Sequence, residues 1–534
     1  MNQSPPAPVV VRARVWPRRA AADPFPEWPL LPPSRPRTAG ICFSGGGTRS
    51  VAAVMGQLRG LVAIGAFDRI GYLSAVSGGA WAAVPYVFRS CDSPALLGPV
   101  RAPESLSLAG LGVLDPGRLA WPATLDFKET LRRLYLDQSV PRSEVWTRAV
   151  AQTFLAPFGL YDSETARYFC LESEDGGDIV HHTVASIQFP LHVARLSARC
   201  PFLVVSTTVR WPEAADDGRY RIGLEFTPMY VGIPNLVPLG PAGASSFVGG
   251  GYLESFAFGC SAPLEVLDHE GFAMVQLPER RFTLADVVGM TSARTDESDP
   301  QYYPSAATWS FSPTGVGPAC RVLLTDGGDL ENYGVMPLMR RRVERIAVFI
   351  NSETPLSLSY DPSRWPITYE REIDPFLPPL FGQRTARFHN NQVFRQSDYG
   401  PLVAELQAAK RAGRPLVATT TLEVQANEQW GVDGGWRVTM CWVYNDRVCG
   451  WEARLTPELR RLIEQGHTAD GGGPFVRFPN YRTRDQNPGA MIRLTSDQIN
   501  LLAELSCWNV TSNADVFTAL FTRHSRSNKD GRAS

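Results

Sequence analysis

Lysine is nearly missing from this 534-residue chain: Lys128, Lys410 and Lys529 are the only three among 52 basic residues. The basic charge is carried by arginine, and 53 acidic residues bring the formal net charge to -1. No global positive field is left to favour nucleic acid. Histidine is also sparse, at seven, and no His-Glu-x-x-His or comparable metal-binding spacing occurs. The nine cysteines run from Cys42 to Cys507, and only Cys441 and Cys449 lie close together. That scatter argues against a disulfide framework or a zinc site and predicts buried thiols in reducing surroundings. The amino terminus lacks a secretory pattern, being polar and proline-rich and then broken by arginine and proline. An unbroken membrane-spanning run is missing too. The uncharged stretch Ile70–Phe88 contains Ser74, Ser77, Gly78, Gly79 and Pro85, so it reads as strand, turn and helix. The expected location is cytoplasmic, with membrane contact peripheral if it occurs.

What is present is a large globular chain with 44% hydrophobic and 20% charged residues, enough to build a sizeable core. It also has 44 prolines and 46 glycines, which predict many turns. Length alone suggests three or four domains at roughly 150 residues each. Residues 1–37 hold ten prolines and read as an arm with little regular structure. Ordered sequence then begins with two strand–glycine turn–helix units. Ala39–Phe43 leads through Ser44-Gly45-Gly46-Gly47 into a helix over Thr48–Leu61, and Tyr72–Val76 leads through Ser77-Gly78-Gly79 into a helix over Ala80–Phe88. Consecutive units of this kind imply parallel strands with helical crossovers. Further along, strands are predicted at Phe202–Val209, Arg321–Thr325, Ile346–Ile350 and Trp436–Tyr444. Helices are predicted at Leu125–Leu136, Val335–Arg342, Gln392–Ala412 and Leu494–Leu505, the last capped by Thr495 with Gln498. Glu172–Asp178 is an acidic patch. The 28 residues Phe226–Leu253 carry no charge and four prolines. They read as a buried connecting loop or, alternatively, as the apolar lining of a lipid-binding cleft.

Three features could carry chemistry. Ser77 follows an apolar strand and precedes a helix, where a sharp turn exposes a nucleophilic hydroxyl at the sheet's end; helix capping is the plain alternative. The loop Gly45-Gly46-Gly47 offers unobstructed backbone N–H groups at a helix start, suited to a phosphate or an oxyanion. It lacks the lysine of a nucleotide-binding P-loop, and Ser77 one unit downstream favours the oxyanion. Arg49 sits in the first turn of that helix, where a cation is unfavourable unless an anionic partner is near; a surface arginine is the other reading. Asp326 ends a strand and begins Asp326-Gly327-Gly328, a position where α/β sites gather, although Asp-Gly is also a common turn. His389 or His467 could complete a Ser…Asp…His triad by order along the chain. If Asp326 reaches Ser77 directly, it can act as base without them, given a partly apolar cleft.

Taken together, Ser44-Gly45-Gly46-Gly47-Thr48-Arg49, Val76-Ser77-Gly78-Gly79 and Asp326-Gly327 before Asn332 and Pro337-Leu338 resemble the patatin-like and cytosolic phospholipase A2 hydrolases. Glu225-Phe226-Thr227-Pro228, His389-Asn390-Asn391-Gln392-Val393-Phe394 and Phe478-Pro479-Asn480-Tyr481 are similar to the cytosolic phospholipase branch. The resemblance covers about residues 38–515. It implies a three-layer α/β/α fold with a mostly parallel central sheet, long insertions and a C-terminal extension. It further implies a Ser–Asp dyad without histidine, with Ser77 as nucleophile and Asp326 as general base. Gly45, Gly46 and Gly47 would form the oxyanion hole, and Arg49 would assist the lipid phosphate. The implied substrates are phospholipids or lysophospholipids, with no cofactor, no metal and no nucleic acid. Ala75 departs from the glycine usual in the family and bears on the strain of the serine turn. A triad esterase and a catalytically inert lipid- or protein-binding module are the alternatives.

Because 249 residues separate Ser77 from Asp326, the length is better read as one α/β domain over 38–515. Its excess then lies in an insertion region of about 90–320, with a polar tail over 516–534.

Overall fold

The computed structural model describes residues 10–522 apart from 19, 21–22, 90–93, 163–166, 172–191, 197–198, 211–220, 239–246, 261–270, 279, 295–298, 313–314, 318, 365–368, 384–390, 469–471 and 484–492. The predicted acidic patch at Glu172–Asp178 and the final tail from Arg523 lie outside the described residues.

Both expected strand–turn–helix units form. Ala39–Phe43 runs into the helix Gly47–Ala63, and Tyr72–Val76 runs into the helix Gly78–Arg89. The two strands pair in parallel, Phe43 opposite Ala75. Arg345–Ile350 and Trp436–Tyr444 extend the parallel ladder on one side, and Phe202–Arg210 extends it on the other. All residues of the two inner strands are buried, as expected for strands covered on both faces.

Alternate residues of these strands feed two separate cores. Ile41, Phe43, Leu73, Ala75 and Val205 pack with the helices Gly47–Ala63, Gly78–Arg89 and Ser496–Thr511. Cys42, Tyr72, Val204 and Val348 pack on the other face with Val335–Arg340 and Tyr399–Arg411. The chain is therefore an α/β protein with a central sheet and helices on both faces.

The expectation of a mostly parallel sheet is corrected. The sheet has 13 strands, and only the central ladder is parallel. Leu416–Val424 pairs antiparallel with Trp436–Tyr444. On the far side Phe202–Arg210, Arg221–Phe226, Tyr230–Pro238 and Phe247–Glu254 follow one another in antiparallel pairs. Their connections are too short to hold the crossover that parallel pairing requires. The described part of Phe226–Leu253 is thus mostly strand rather than connecting loop. It supplies strands, with Gly249 and Gly250 at positive φ where the register shifts near Ile233 and Leu236.

The proline-rich arm also carries structure. Val10–Pro17 is a strand between Phe272–Gln276 and Phe247–Glu254, with Val11, Ala13 and Val15 turned inward. Its alternating pattern is short and overlain by arginines, which hid it. Further along the arm, the fully buried Glu27 accepts from Arg341 Nε at 2.9 Å, Tyr72 OH at 3.1 Å and Tyr230 OH at 2.7 Å. Arg341 also binds both oxygens of the buried Glu225, which pairs with Arg340 as well. Burial would push the Glu225 carboxyl up, but these two guanidinium groups hold it below its ordinary value. Removing one member leaves a buried charge uncompensated. Glu27→Ala is expected to lower stability by about 3–5 kcal/mol, read by urea unfolding; unchanged stability would contradict an arm built into the core.

Phe127–Leu136 is helical with Asp126 as cap. The capping box of Thr495 and Gln498 is present, and its helix extends to Thr511. Only Tyr399–Arg411 of the expected Gln392–Ala412 helix forms. The tail does not begin at 516, because Ala514–Phe521 is a helix that buries Phe517 and Phe521. Cys42, Cys260, Cys441 and Cys507 are buried free thiols, but Cys200 is disulfide-bonded, so the chain is not thiol throughout. Among the described residues, no helix is long and apolar enough to cross a membrane.

The helix Ser496–Thr511 lies directly against Gly47–Ala63, where a Cβ on Gly56 would stand 2.0 Å from the Ala503 carbonyl oxygen. Gly56→Ala must force the two backbones apart, and a loss of about 1–3 kcal/mol is expected by thermal unfolding. A neutral result would contradict this contact.

Candidate active site

The site arises where two strands end head to head. Tyr72–Val76 runs parallel to Phe202–Arg210 and stops with Val76 opposite Ser206. Cys320–Thr325 arrives along the same edge from the other direction and stops with Thr325 opposite Thr208. The next residues are Ser77 and Asp326, facing each other across the gap. Ser77 Oγ donates to Asp326 Oδ2 at 3.0 Å. The topology thus joins residues 249 positions apart.

Ser77 holds φ at 49°, a left-handed value rare for a non-glycine residue. Such a residue costs on the order of 1–3 kcal/mol and persists when its surroundings over-determine it. Here they do. The Ser77 N–H donates to Thr291 Oγ1 at 3.0 Å, and Thr291 Oγ1 donates in turn to the Ser206 carbonyl. The Ser77 carbonyl accepts the first helical amides, from Ala80 at 2.9 Å and Trp81 at 3.2 Å. The turn forms with Ala75 two residues before it, fully buried in its strand. Gly78 is required by close approach, because a Cβ there would sit 2.4 Å from both the amide nitrogen and the carbonyl oxygen of Gly47. The serine turn and the glycine loop therefore touch backbone to backbone.

Asp326 is fixed by its own turn. Its Oδ1 accepts Gly328 N–H at 2.8 Å, its amide donates to Ala293 O at 3.0 Å, and its carbonyl accepts Thr208 Oγ1 at 2.9 Å. Burial, with the charge of Asp329 second, pushes its carboxyl up to about 6, against the opposing pull of the Gly328 amide, Arg294 and Ser77. It is a poised proton acceptor near neutral pH.

The three glycines do not play equal parts. The Gly45 amide donates to the Asn332 carbonyl at 2.9 Å. No acceptor among the described residues takes the Gly46 or Gly47 amide. Gly46 and Gly47 have φ of 144° and 58°, conformations that favour glycine. Thr483 Oγ1 donates to the Gly46 carbonyl at 2.9 Å and holds the loop from the C-terminal side.

Arg49 lies at the site but is not a surface arginine. It is 4% exposed, and it donates to Asn351 O at 2.8 Å and Tyr481 O at 2.6 Å, with Glu353 at 3.6 Å. Burial lowers its basicity, and Glu353 partly opposes that. These contacts are the compensating partners that its unfavourable helix position called for. Of the two histidines considered, His467 Nε2 lies 2.6 Å from the Phe478 carbonyl, and His389 lies outside the described residues.

Sequence reasoning missed the supports Thr291, Thr208 and Thr483. Single threonines in unrelated segments give no local signal; they matter only once the strands meet. Thr291→Val is expected to leave the Ser77 amide without an acceptor, at a cost of about 1–3 kcal/mol. A thermal unfolding midpoint equal to the parent's would contradict this.

Fold and geometry define an α/β protein with a serine–aspartate pair and a glycine loop at adjoining strand ends. No family model matches the chain. Over 79 residues it is 40% identical to the cytosolic phospholipase A2 zeta of Mus musculus, a match that spans 14% of this chain and 9% of the mouse protein. Among solved structures it resembles human GIVD cytosolic phospholipase A2, at a TM-score of 0.43 and 14% identity over 91% of this chain and 60% of the human one. The same human protein in complex with methyl gamma-linolenyl fluorophosphonate gives 0.41 and 14% over 91% and 58%.

Proposed function

We propose that this chain is an acyl-ester hydrolase of the patatin-like and cytosolic phospholipase A2 type, releasing fatty acids from phospholipids or lysophospholipids through an acyl-enzyme. The observation that carries this reading is the 3.0 Å hydrogen bond from Ser77 Oγ to Asp326 Oδ2, beside the Gly46 and Gly47 amides, which have no acceptor among the described residues. The local identity to a cytosolic phospholipase A2 supports the substrate class.

In the first step Asp326 takes the hydroxyl proton as Ser77 Oγ attacks the ester carbonyl. The resulting oxyanion is held by the Gly46 and Gly47 amides, with roughly 3–4 kcal/mol of transition-state stabilisation for each such donor. The bond to the leaving alcohol breaks, and the alcohol takes the proton from Asp326. Water then attacks the acyl-serine, passes a proton to Asp326, and the fatty acid leaves as Ser77 recovers that proton. The Gly45 amide is already engaged, so it shapes the loop rather than binding the oxyanion. Arg49 follows the loop by two residues and is held by Asn351 O and Tyr481 O, and its positive charge favours a phosphate-bearing substrate nearby.

The test is a panel of phospholipids and lysophospholipids incubated with the purified chain, with products identified by mass spectrometry. Release of fatty acid together with the matching lysolipid or glycerophospho-alcohol is expected. A panel without acyl release would contradict the reading.

A further inference from the structure

The helix that starts at the glycine loop carries a second charged constellation near its other end. Arg59 lies twelve residues beyond Gly47, about 18 Å along the helix axis. There Arg59, Arg101 and Arg118 converge on a cavity of about 220 Å³. Gly98 forms part of its wall, with φ at +77°. A Cβ on Gly98 would stand 3.2 Å from Arg118 Nη1 and 3.5 Å from Arg59 Nη2, so two guanidinium groups crowd onto one glycine.

Two carboxylates face these arginines. Glu504 accepts Arg59 Nη1 at 2.7 Å and lies 3.2 Å from Arg101 Nε, and Asp115 lies 3.5 Å from Arg118 Nη2. Among the described residues, three guanidinium groups against these two carboxylates leave one positive charge. The arginines are also held in place by carbonyls. Arg59 Nε donates to Leu97 O at 2.8 Å, and Arg118 Nη1 donates to Ala95 O at 2.7 Å. The Arg101 Nε atom is buried, and it makes no hydrogen bond among the described residues. Arg59 is 4% exposed, whereas Arg101 and Arg118 are 31% and 23% exposed and can reach a ligand at the mouth.

Like charges brought together in a half-buried cavity repel, and an anion relieves that repulsion. Guanidinium groups pair with phosphate oxygens through paired N–H bonds, a geometry that ammonium groups cannot match. Met55, Leu114 and the exposed Val113 add apolar surface to the cavity's lining.

We propose that this cavity is a second, non-catalytic site that binds a phosphate group, carried either by a small soluble phosphate compound or by a lipid headgroup at a membrane surface. The site is separate from Ser77, and the proposal stands whether or not the hydrolase reading holds.

The experiment uses the full chain and two variants, Arg101→Gln and Arg118→Gln, each checked for native circular dichroism. Inorganic pyrophosphate is titrated by calorimetry. In parallel, co-sedimentation is measured with phosphatidylcholine vesicles with and without phosphatidic acid. Saturable binding of either probe by the parent, weakened at least about tenfold in Arg101→Gln, is the expected result. Pyrophosphate binding identifies a soluble ligand. Binding only to vesicles that contain phosphatidic acid identifies a headgroup. Arg118→Gln should repeat the loss; if that variant does not fold, Arg101→Gln alone decides, since its more exposed side chain carries less of the packing. No binding of either probe, or binding equal in parent and Arg101→Gln, would overturn the proposal.

Discussion

Ser77→Ala should abolish acyl-ester hydrolysis, lowering kcat/KM by at least ~10⁴-fold, in the range for removing the nucleophile of a serine hydrolase. The Ser77 hydroxyl is the group that bridges the two strand ends, through its bond to Asp326 Oδ2. Alanine keeps the Cβ and therefore the strained backbone at φ 49°, so the fold should be preserved while the chemistry is lost. Ser77→Gly separates the two effects. It removes the strain as well as the hydroxyl and should raise the unfolding midpoint by the equivalent of about 1 kcal/mol while remaining inactive. Residual hydrolysis within tenfold of the parent in either variant would remove Ser77 from the mechanism.

Asp326→Asn should have the second largest effect, with opposite signs for activity and stability. Without a proton acceptor, hydrolysis should fall by about 10³–10⁴-fold. The stability sign follows from the raised pKa. The Asp326 carboxyl is pushed up to about 6 in the fold, chiefly by burial, while the unfolded chain titrates it near 3.8. Between these values the unfolded state gives up its proton first, so ionisation destabilises the fold as pH rises from about 4 to 6. At neutral pH the cost is at most about 3 kcal/mol, and asparagine removes it. The variant should therefore unfold at higher temperature than the parent at pH 7 and lose that advantage at pH 4. In the parent, kcat/KM should rise through a pKa near 6 and level off above it, because the base must be ionised. A pH-independent rate between 5 and 8 would contradict Asp326 as base.

Much of this site was legible because its parts are local in sequence. Ser44-Gly45-Gly46-Gly47 and Val76-Ser77-Gly78-Gly79 each join an apolar strand to a helical period, and the structure builds them as read. What escaped was long-range. The antiparallel strands from Arg221 to Glu254 contain glycine and proline at a register shift, and the uncharged run Phe226–Leu253 within them gave no alternating pattern to mark its strands. Val10–Pro17 was masked by proline-rich surroundings, although Glu27 in the same arm is buried under Arg341. The direction of Cys320–Thr325 could not be read locally, yet its antiparallel approach is what brings Asp326 to Ser77. The division of labour among the glycines was equally hidden, since the partner of the Gly45 amide, Asn332, lies in another segment.

The most direct test of the central claim is covalent. The purified chain is treated with an alkyl fluorophosphonate, digested, and mapped by mass spectrometry. One stoichiometric adduct is expected, on Ser77, formed far more slowly in Asp326→Asn. An unlabelled protein, or an adduct on any other residue with Ser77 unmodified, would contradict it.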